Sequence, residues 1–369
     1  MKITAAVLDE IGLPRPYAES RPLSVQELEL SEPGPGELLI RIRAAGVCHS
    51  DLSVVDGSRP RPLPMALGHE ASGIVERVGE GVTDVGPGDQ VTTVFLPRCG
   101  ECANCATDGR LPCTPGTETN DAGLLPGSAL RLHRGEEEVH HHLGVSGFAS
   151  HAVVSRQSVV PVGADVPPEI AAVVGCAVLT GGGAVLNAGR PGDGDTVVVV
   201  GLGGVGMAAL LTALSLQKGP VIGVDANPEK LARATGLGAT AVYSPAELVE
   251  QGVRAAVVVE AAGHPRAFET AVAATAPGGT TVTVGLPSPD ARSTIAPLGL
   301  TAQARTIVGS YLGSAVPSRD IPVYLDLWRQ GRLPIEELIS ERVSLSRINE
   351  SMDRLADGLA VRQVIRFDD

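Results

Sequence analysis

The amino-acid sequence predicts an α/β protein of two domains, one rich in β-strands and one built on a doubly wound parallel sheet. Residues 1–178 contain short apolar runs separated by glycine and proline, a spacing typical of a barrel-like β domain. From about residue 179, uninterrupted apolar runs alternate with helical segments, as in a parallel sheet covered on both faces. A chain of 369 residues with 43% hydrophobic residues is long enough for two such domains.

Five strands are predicted in the first domain, and a long segment between two of them lacks strong periodicity. The strands are Met1–Asp9, Leu38–Ala44, Ser72–Val78, Gln90–Phe95 and Phe148–Val154. Residues 114–143 are rich in glycine, glutamate, arginine and histidine. Because unstructured loops of this length are usually functional or disordered, we expect this segment to be an excursion that covers a catalytic metal site.

Six strands and two helices are predicted in the second domain. The strands are Thr196–Val200, Val221–Asp225, Ala241–Ser244, Ala256–Glu260, Thr280–Val284 and Thr306–Ser310, and the helices are Val205–Leu216 and Pro228–Gly236. Residues 322–369 mix helix with a last strand, Val361–Phe367, and are predicted to return to the first domain. The predicted domains are therefore 1–178 completed by 322–369, and 179–321.

Composition and charge exclude several classes of function. A formal net charge of −13 argues against nucleic-acid binding, which needs a basic face. The chain has no uninterrupted run of 18 apolar residues and no signal-peptide core, so we expect no membrane span and a cytoplasmic protein. In the cytoplasm the six cysteines stay reduced. Three disulfides are the alternative.

A glycine-rich turn predicts a dinucleotide site. The sequence Gly201-Leu202-Gly203-Gly204-Val205-Gly206 matches G-x-G-x-x-G, and it follows a predicted strand and opens a predicted helix. The first glycine permits a tight turn, the second lets a pyrophosphate approach the backbone, and the third lets helix and strand pack closely. The helix N-terminus then offers N–H groups to the phosphates. A glycine-rich turn in an ordinary sheet is the alternative.

Asp225 indicates which dinucleotide is bound. It ends the next strand, 19 residues after Gly206, where a carboxylate can accept hydrogen bonds from the adenosine ribose. The same carboxylate would repel a 2′-phosphate, and no arginine follows within seven residues. The sequence therefore predicts NAD rather than NADP.

All six cysteines fall into two metal-ligand patterns. The first is a C-x2-C-x2-C-x7-C cluster, formed by Cys99, Cys102, Cys105 and Cys113. Four thiolates complete a tetrahedral structural zinc site. An iron–sulfur centre also uses four thiolates, but its bacterial pattern ends in C-x3-C-P, whereas Thr114 follows the last cysteine here. We therefore favour zinc.

The second pattern, Cys48, His69 and Cys176, is one ligand short of a tetrahedron. Such an open zinc site can bind a substrate, and an alcohol bound there loses its proton more easily. Asp51 can accept the other N–H of His69 and orient the ring. Glu70 can do the same or become a transient ligand. For Cys176 the alternative is a buried core residue, and for the two carboxylates it is a solvated surface position.

Together these motifs resemble those of the zinc-dependent medium-chain alcohol dehydrogenases. The resemblance covers essentially the whole chain and rests on GVCHSD at 46–51, GHEASG at 68–73, the four-cysteine lobe, Cys176 and the glycine turn. It implies a GroES-like catalytic domain with an inserted Rossmann domain. It also implies two Zn²⁺ per chain, one of them on Cys48, His69 and Cys176, and reversible oxidation of primary or secondary alcohols with NAD.

The resemblance also implies roles for other residues. Ser50 would hydrogen-bond the alcohol as the first proton acceptor. The implied cofactor contacts are His49 and Arg362 to the pyrophosphate, Lys230 near the adenosine ribose, and Thr180 and Val205 to the nicotinamide. Phe95, Leu286 and Tyr311 align with positions of the substrate pocket, which we therefore expect to be mostly apolar.

The long segment 114–143 resembles the animal-type and glutathione-dependent formaldehyde dehydrogenase branches. Those branches are usually dimers, so we expect a homodimer, with a homotetramer as the alternative. Three residues depart from the pattern. Ser53 replaces the histidine that ends many proton relays, His142 replaces a pocket aromatic, and Thr117 replaces an arginine of the formaldehyde branch. Of the run His140–His142, we expect only the last ring to turn inward.

Three other functions remain open. One is a formaldehyde dehydrogenase acting on a thiol adduct, of glutathione or mycothiol type, and Thr117 weakens it. Another is a nicotinoprotein that keeps its cofactor bound. A third is a non-catalytic NAD-binding relative, although such proteins typically lose zinc ligands, and all seven ligands are present here.

Overall fold

The computed structural model describes residues 1–367, and it divides into two compact units. The first unit combines Met1–Cys176 with the C-terminal segment that begins at Ile339. The second unit is Ala177–Leu338. The predicted boundaries lie at 178/179 and 321/322, and the two units divide after Cys176 and after Leu338.

The described residues form strands and helices as follows. The strands are β1 (Lys2–Leu8), β2 (Leu23–Leu30), β3 (Glu37–Val47), β4 (Met65–Ala66), β5 (Glu70–Val78), β6 (Gln90–Thr93), β7 (Leu132–Arg134), β8 (Glu137–His141), β9 (His151–Ser155), β10 (Val159–Pro161), β11 (Val197–Val200), β12 (Val221–Val224), β13 (Ala241–Tyr243), β14 (Ala255–Glu260), β15 (Thr275–Thr283), β16 (Thr306–Gly309), β17 (Glu341–Val343) and β18 (Gln363–Arg366). The α-helices are α1 (Tyr17–Ser20), α2 (His49–Val55), α3 (Thr114–Ala122), α4 (Pro168–Val173), α5 (Leu179–Gly183), α6 (Gly204–Leu216), α7 (Pro228–Gly236), α8 (Pro245–Glu250), α9 (Pro265–Ala274), α10 (Pro297–Ala302), α11 (Pro317–Arg329) and α12 (Ile348–Ala356). Two π-helical segments are Val174–Val178 and Ala184–Gly189.

The first unit contains a closed barrel and a seven-stranded sheet. The barrel order is β1-β2-β7-β8-β4, and the sheet order is β10-β6-β5-β3-β18-β17, with β9 also paired to β3. Strands β3 and β5 are antiparallel, with Gly46 opposite Glu70. Because β3 ends where β5 begins, this register brings Cys48, just after β3, close to His69, just before β5.

The second unit is built on a six-stranded parallel sheet of order β13-β12-β11-β14-β15-β16. Numbered along the chain, this order is 3-2-1-4-5-6, the arrangement that binds dinucleotides at the strand ends. Its central strand β11 is four consecutive valines, all buried. Uninterrupted apolar strands belong to parallel sheets covered on both faces. The predicted doubly wound fold is confirmed.

Residues 322–338, which the sequence assigned to the first domain, belong to the second unit. The reason is that α11 runs through residue 322 and turns an apolar face inward, burying Ile321, Tyr324 and Leu325. The ring of Tyr324 packs so closely on Gly182 that a Cβ there would collide with it. Amphipathic packing against α5 therefore keeps α11 in the second unit.

The segment 114–143 is structured rather than a plain loop. Helix α3 starts after Cys113 with a proline in its first turn and ends at Gly123, whose φ of 69° only glycine adopts easily. The hairpin β7–β8 closes the barrel, and the Arg134–Glu137 ion pair of 2.7 Å joins its strands. Each strand has a single buried apolar residue, Leu132 and Val139, and the two face each other across the hairpin. Because one apolar residue in a strand gives no pattern, the sequence did not predict the hairpin.

One helical stretch, Pro168–Gly189, is long and apolar enough to cross a membrane by length and composition. Within the fold, 94% of its most apolar window is buried. Protein side chains therefore already cover its apolar surface.

Candidate metal centre and dinucleotide site

The first unit brings four potential metal ligands together in its interior. The ligand atoms of Cys48, His69, Glu70 and Cys176 all lie within 4.8 Å of one another, and all four residues are buried. Cys176 comes from the π-helical turn Val174–Val178. Such turns are frequent at functional sites. The cysteine is thus placed against the other ligands rather than in a separate apolar core.

The spacing of these atoms fits zinc. Cys176 Sγ lies 3.6 Å from His69 Nε2. A sulfur and a nitrogen bound to one tetrahedral zinc at their usual bond lengths lie about 3.5 Å apart. The residues present can therefore hold zinc without a rearrangement of the fold.

Asp51, in the first turn of α2, connects two of these ligands. Its Oδ1 lies 2.9 Å from His69 Nδ1, and its Oδ2 accepts a hydrogen bond from the backbone N–H of Cys48 at 2.9 Å. Since an ionised carboxylate only accepts hydrogen bonds, Nδ1 of the ring carries the proton. Nε2 is then the free lone pair, and it faces Cys176.

Arg362 and Glu70 form a buried ion pair beside the cysteines. Arg362 Nη1 lies 3.0 Å from Glu70 Oε1 and donates to the carbonyl of Val47 at 3.1 Å. Burial raises the pKa of Glu70 to about 8, although the guanidinium opposes this shift. The pyrophosphate contact implied for Arg362 stays a prediction. The structure shows that this guanidinium balances charge at the metal centre, a partner that sequence reasoning missed.

The buried ionisable groups of this centre shift one another's pKa values. A hydrogen bond with Cys176 lowers the pKa of the Cys48 thiol well below its usual range, and the charge of Arg362 assists. Burial alone would lower the pKa of His69, but the charges of Asp51 and Cys48 raise it well above its usual value. The centre therefore sets the negative charges of Cys48 and Asp51 against the positive charge of Arg362 and a readily protonated His69 ring.

The predicted proton-transfer residues lie at the start of α2. His49 is exposed and Ser50 is partly buried, as a path from the interior to water requires. Ser53 Oγ donates to the carbonyl of His49 at 2.8 Å. The Ser53 hydroxyl therefore donates to its own helix.

The histidine run 140–142 differs from the expectation. His141 and His142 are both 1% exposed, so two rings are buried rather than one. Val139 and His141 share a face of β8, and the His141 ring accepts a hydrogen bond from Arg131 N at 3.1 Å. Strand alternation was the signal that could have predicted the second buried ring.

Phe95 is nearly buried and stands edge-on to the His69 ring, with centroids 5.7 Å apart.

The four-cysteine lobe also has the dimensions of a zinc site. The four sulfurs lie within 4.8 Å of one another, and Cys99 Sγ is 3.9 Å from Cys105 Sγ. Two sulfurs on one tetrahedral zinc lie about 3.8 Å apart. Backbone N–H groups lower the pKa of Cys102 to about 6, which favours its thiolate. All six cysteines of the chain are free thiols.

The glycine turn of the second unit has the shape that a pyrophosphate needs. Gly201 has a φ of 92°, and a Cβ on Gly206 would collide with the carbonyl oxygen of Gly201. At Gly203 a Cβ would meet nothing within 4 Å, so this face of the backbone is open. Helix α6 begins at Gly204 without a side-chain cap. Its first N–H groups are thus available to an anion.

Asp225 stands beside this turn. Its Oδ2 accepts from the N–H of Leu202 at 2.7 Å and its Oδ1 from that of Asn227 at 2.8 Å. The carboxylate is thereby fixed next to the fingerprint, where the ribose was predicted to bind. Lys230, on α7, and Val205, on α6, are partly exposed, and Thr180 is buried in α5.

Comparison with known proteins agrees with both sites. The family described as alcohol dehydrogenase GroES-like domain matches residues 34–164, and the zinc-binding dehydrogenase family matches 204–330. A Mycobacterium tuberculosis protein named "Putative alcohol dehydrogenase D" is 38% identical over 99% of this chain and 100% of its own length. The NDMA-dependent alcohol dehydrogenase of Amycolatopsis methanolica is 36% identical over 99% of both chains.

A solved structure extends this agreement to the fold. Benzyl alcohol dehydrogenase from Acinetobacter calcoaceticus superposes with a TM-score of 0.90 at 30% identity, covering 100% of both chains. The predicted GroES-like and Rossmann domains and the predicted alcohol oxidoreductase activity are confirmed. The chain belongs to the zinc-binding medium-chain alcohol dehydrogenase family, whose members are oxidoreductases acting on CH–OH groups.

Proposed function

We propose that this protein reversibly oxidises primary or secondary alcohols to aldehydes or ketones, with NAD as the hydride acceptor and two zinc ions per chain. The observation that carries the proposal is the buried ligand set Cys48, His69 and Cys176, whose Sγ–Nε2 distance of 3.6 Å fits zinc. Zinc bound there supplies a Lewis acid that polarises the alcohol oxygen.

The side chains around this ligand set divide the remaining tasks. Two thiolates and one neutral imidazole balance the charge of Zn²⁺. Asp51 keeps the His69 ring in the tautomer that offers Nε2. Ser50 takes the proton of the alcohol, which then passes through the ribose to the exposed His49 or directly to water. Ser53 is not given a role in this proposal, and its hydroxyl donates to the helix backbone.

NAD is the proposed cofactor because of Asp225. Its carboxylate is fixed beside the glycine turn by two backbone N–H groups. A 2′-phosphate there would meet a negative charge, while the hydroxyls of an unmodified ribose can donate to it. Ala226 and Asn227 follow, so no arginine is at hand for a phosphate.

The proposed assembly is a homodimer of the long-loop type, in the cytoplasm. Strand β16 lies at the edge of the six-stranded sheet, and α10 just before it buries no side chain within the described part of the chain. Leu298 on α10 is 77% exposed. An exposed edge with apolar residues is a surface that a second copy can cover. Free thiols support the reducing compartment.

The test is an initial-rate assay of NAD reduction with aliphatic alcohols and benzyl alcohol, on protein dialysed against buffer. We expect turnover that needs added NAD and no thiol. A rate that depends strictly on glutathione or mycothiol would replace the proposal with a thiol-adduct formaldehyde dehydrogenase. Cofactor that survives dialysis, with turnover only when an acceptor such as NDMA is added, would indicate a nicotinoprotein. NAD binding without any turnover would indicate a non-catalytic relative.

A further inference from the structure

We propose that His142 is a positioning residue of the catalytic metal centre, which donates its Nδ1–H to Asp51 and so holds this carboxylate against His69. The proposal rests on the zinc site assigned above and adds a residue that acts through Asp51 rather than on the metal. In this proposal the His142 ring is neutral and carries its proton on Nδ1.

The three side chains form one buried cluster. His142 Nδ1 lies 3.2 Å from Asp51 Oδ1, the same oxygen that lies 2.9 Å from His69 Nδ1. The two imidazole rings stand nearly perpendicular, at 86°, with centroids 5.5 Å apart. Asp51 is 0% exposed and His142 is 1% exposed, so water does not compete for these contacts.

The chemistry of the atoms fixes the direction of the contact. An ionised carboxylate oxygen accepts two hydrogen bonds and donates none, so the facing nitrogen of His142 must carry the proton. The 3.2 Å contact is not a well-formed hydrogen bond in this structure, and His142 Nδ1 has no other partner among the described residues. A buried N–H is costly to leave without an acceptor. Asp51 Oδ1 is the charged acceptor within reach, and its other oxygen is already occupied by Cys48 N.

The backbone holds the His142 ring in place. The carbonyl of His142 accepts from Val145 N at 3.0 Å and from Ser146 N at 3.2 Å, and its own N–H donates to Ser146 Oγ at 3.0 Å. Leu143 and Ser146 adopt positive φ values of 50° and 54° to close this turn. A non-glycine residue keeps such a conformation only when its surroundings enforce it. The backbone that carries the ring is therefore fixed, and the ring itself is buried.

The effect of this support should be local. Without the donor, Asp51 can rotate away from His69, and the His69 ring is then less firmly oriented toward the metal. Partners that orient metal ligands typically change metal affinity or activity by about 10- to 100-fold when removed. The four-cysteine site makes no use of this contact, so it serves as an internal control.

The test compares three variants of the full chain. His142→Phe keeps a ring and removes the donor. His142→Asn removes the ring but keeps an N–H donor at the position of Nδ1. His133→Phe is the matched control, because this histidine lies on β7, whose neighbours are β2 and β8. For each variant, the affinity for zinc is measured by competition with a chelator, and the number of zinc ions released per chain is counted. The absorption spectrum of the cobalt-substituted catalytic site is recorded in parallel.

We expect His142→Phe to weaken the first-released zinc by about 10-fold or more and to shift the cobalt spectrum, with the second zinc unchanged. His142→Asn should restore zinc affinity and spectrum toward wild type, and His133→Phe should match wild type. Equal zinc affinity in wild type and His142→Phe would overturn the proposal. Failure of His142→Asn to restore the zinc affinity would also overturn the proposal. A third zinc per chain that disappears in His142→Phe would overturn it as well, since His142 would then be a metal ligand. The titration needs no turnover, so its outcome is separate from that of the alcohol assay.

Discussion

Replacement of Asp51 by asparagine tests the arrangement of the metal centre most sharply. The carboxylate accepts from His69 Nδ1 and from Cys48 N, both at 2.9 Å, and it is fully buried. Asparagine has the same shape but only one accepting oxygen. One of the two N–H groups must then face an amide NH₂, and a buried donor loses its acceptor.

The size of the effect follows from that single lost bond. A hydrogen bond to a charged group contributes about 1.5–3 kcal/mol. Because each 1.4 kcal/mol is about tenfold in an equilibrium constant, the catalytic zinc should bind about 10- to 100-fold more weakly in Asp51→Asn. The NAD affinity should stay unchanged, since the glycine turn belongs to the second unit.

The assay is a chelator competition on purified protein, with kcat/KM for one alcohol measured in parallel. Asp56→Asn is the control, because Asp56 ends the same helix and is exposed. A normal zinc affinity in Asp51→Asn would refute the role given to Asp51. Equal losses in both variants would point to a general disturbance of α2 instead.

Three further predictions concern metal, cofactor and stability. Cys48→Ala should abolish turnover while NAD affinity stays near wild type, and turnover in this variant would contradict the open zinc site. Cys102→Ser should instead lower the melting temperature or break the dimer before it affects the rate of alcohol oxidation. Asp225→Gly combined with Ala226→Arg should shift kcat/KM from NAD toward NADP, and an unchanged ratio would remove Asp225 from the ribose site. Burial raises the pKa of Asp353, but hydrogen bonds from two backbone N–H groups of α1 lower it overall. The contribution of Asp353 to folding stability is therefore present above the unfolded pKa of about 4 and is lost as pH falls. Urea unfolding of Asp353→Asn should show a deficit of about 1–3 kcal/mol at neutral pH that disappears in acid, and a deficit independent of pH would refute this.

Features that depend on neighbouring residues were predictable from the sequence. Three local patterns show this: the valines of β11, the glycine turn and the spacing of the four clustered cysteines. The structure places all three as expected. The predicted bounds of α7 match the observed helix, because Asn227 caps its start and Pro228 occupies its first turn.

Features that depend on residues far apart in the sequence could not be predicted from it. Two such features are the Glu70–Arg362 pair and the contact between Asp51 and His142. Both join residues that are far apart in the sequence, and the barrel and sheet pairings bring them together. The hairpin β7–β8 was missed because each strand is short and contains a single apolar residue, which is too few for a strand to be predicted from its hydrophobic pattern.

Zinc content per chain, measured on protein purified without added metal, tests the central claim most directly. We predict two zinc ions in the wild-type chain and one in Cys48→Ala, with alcohol-dependent NAD reduction only in the former. One zinc in the wild-type chain without activity would mean that Cys48, His69 and Cys176 do not form the catalytic site. Iron in place of zinc would overturn the assignment of the four-cysteine lobe.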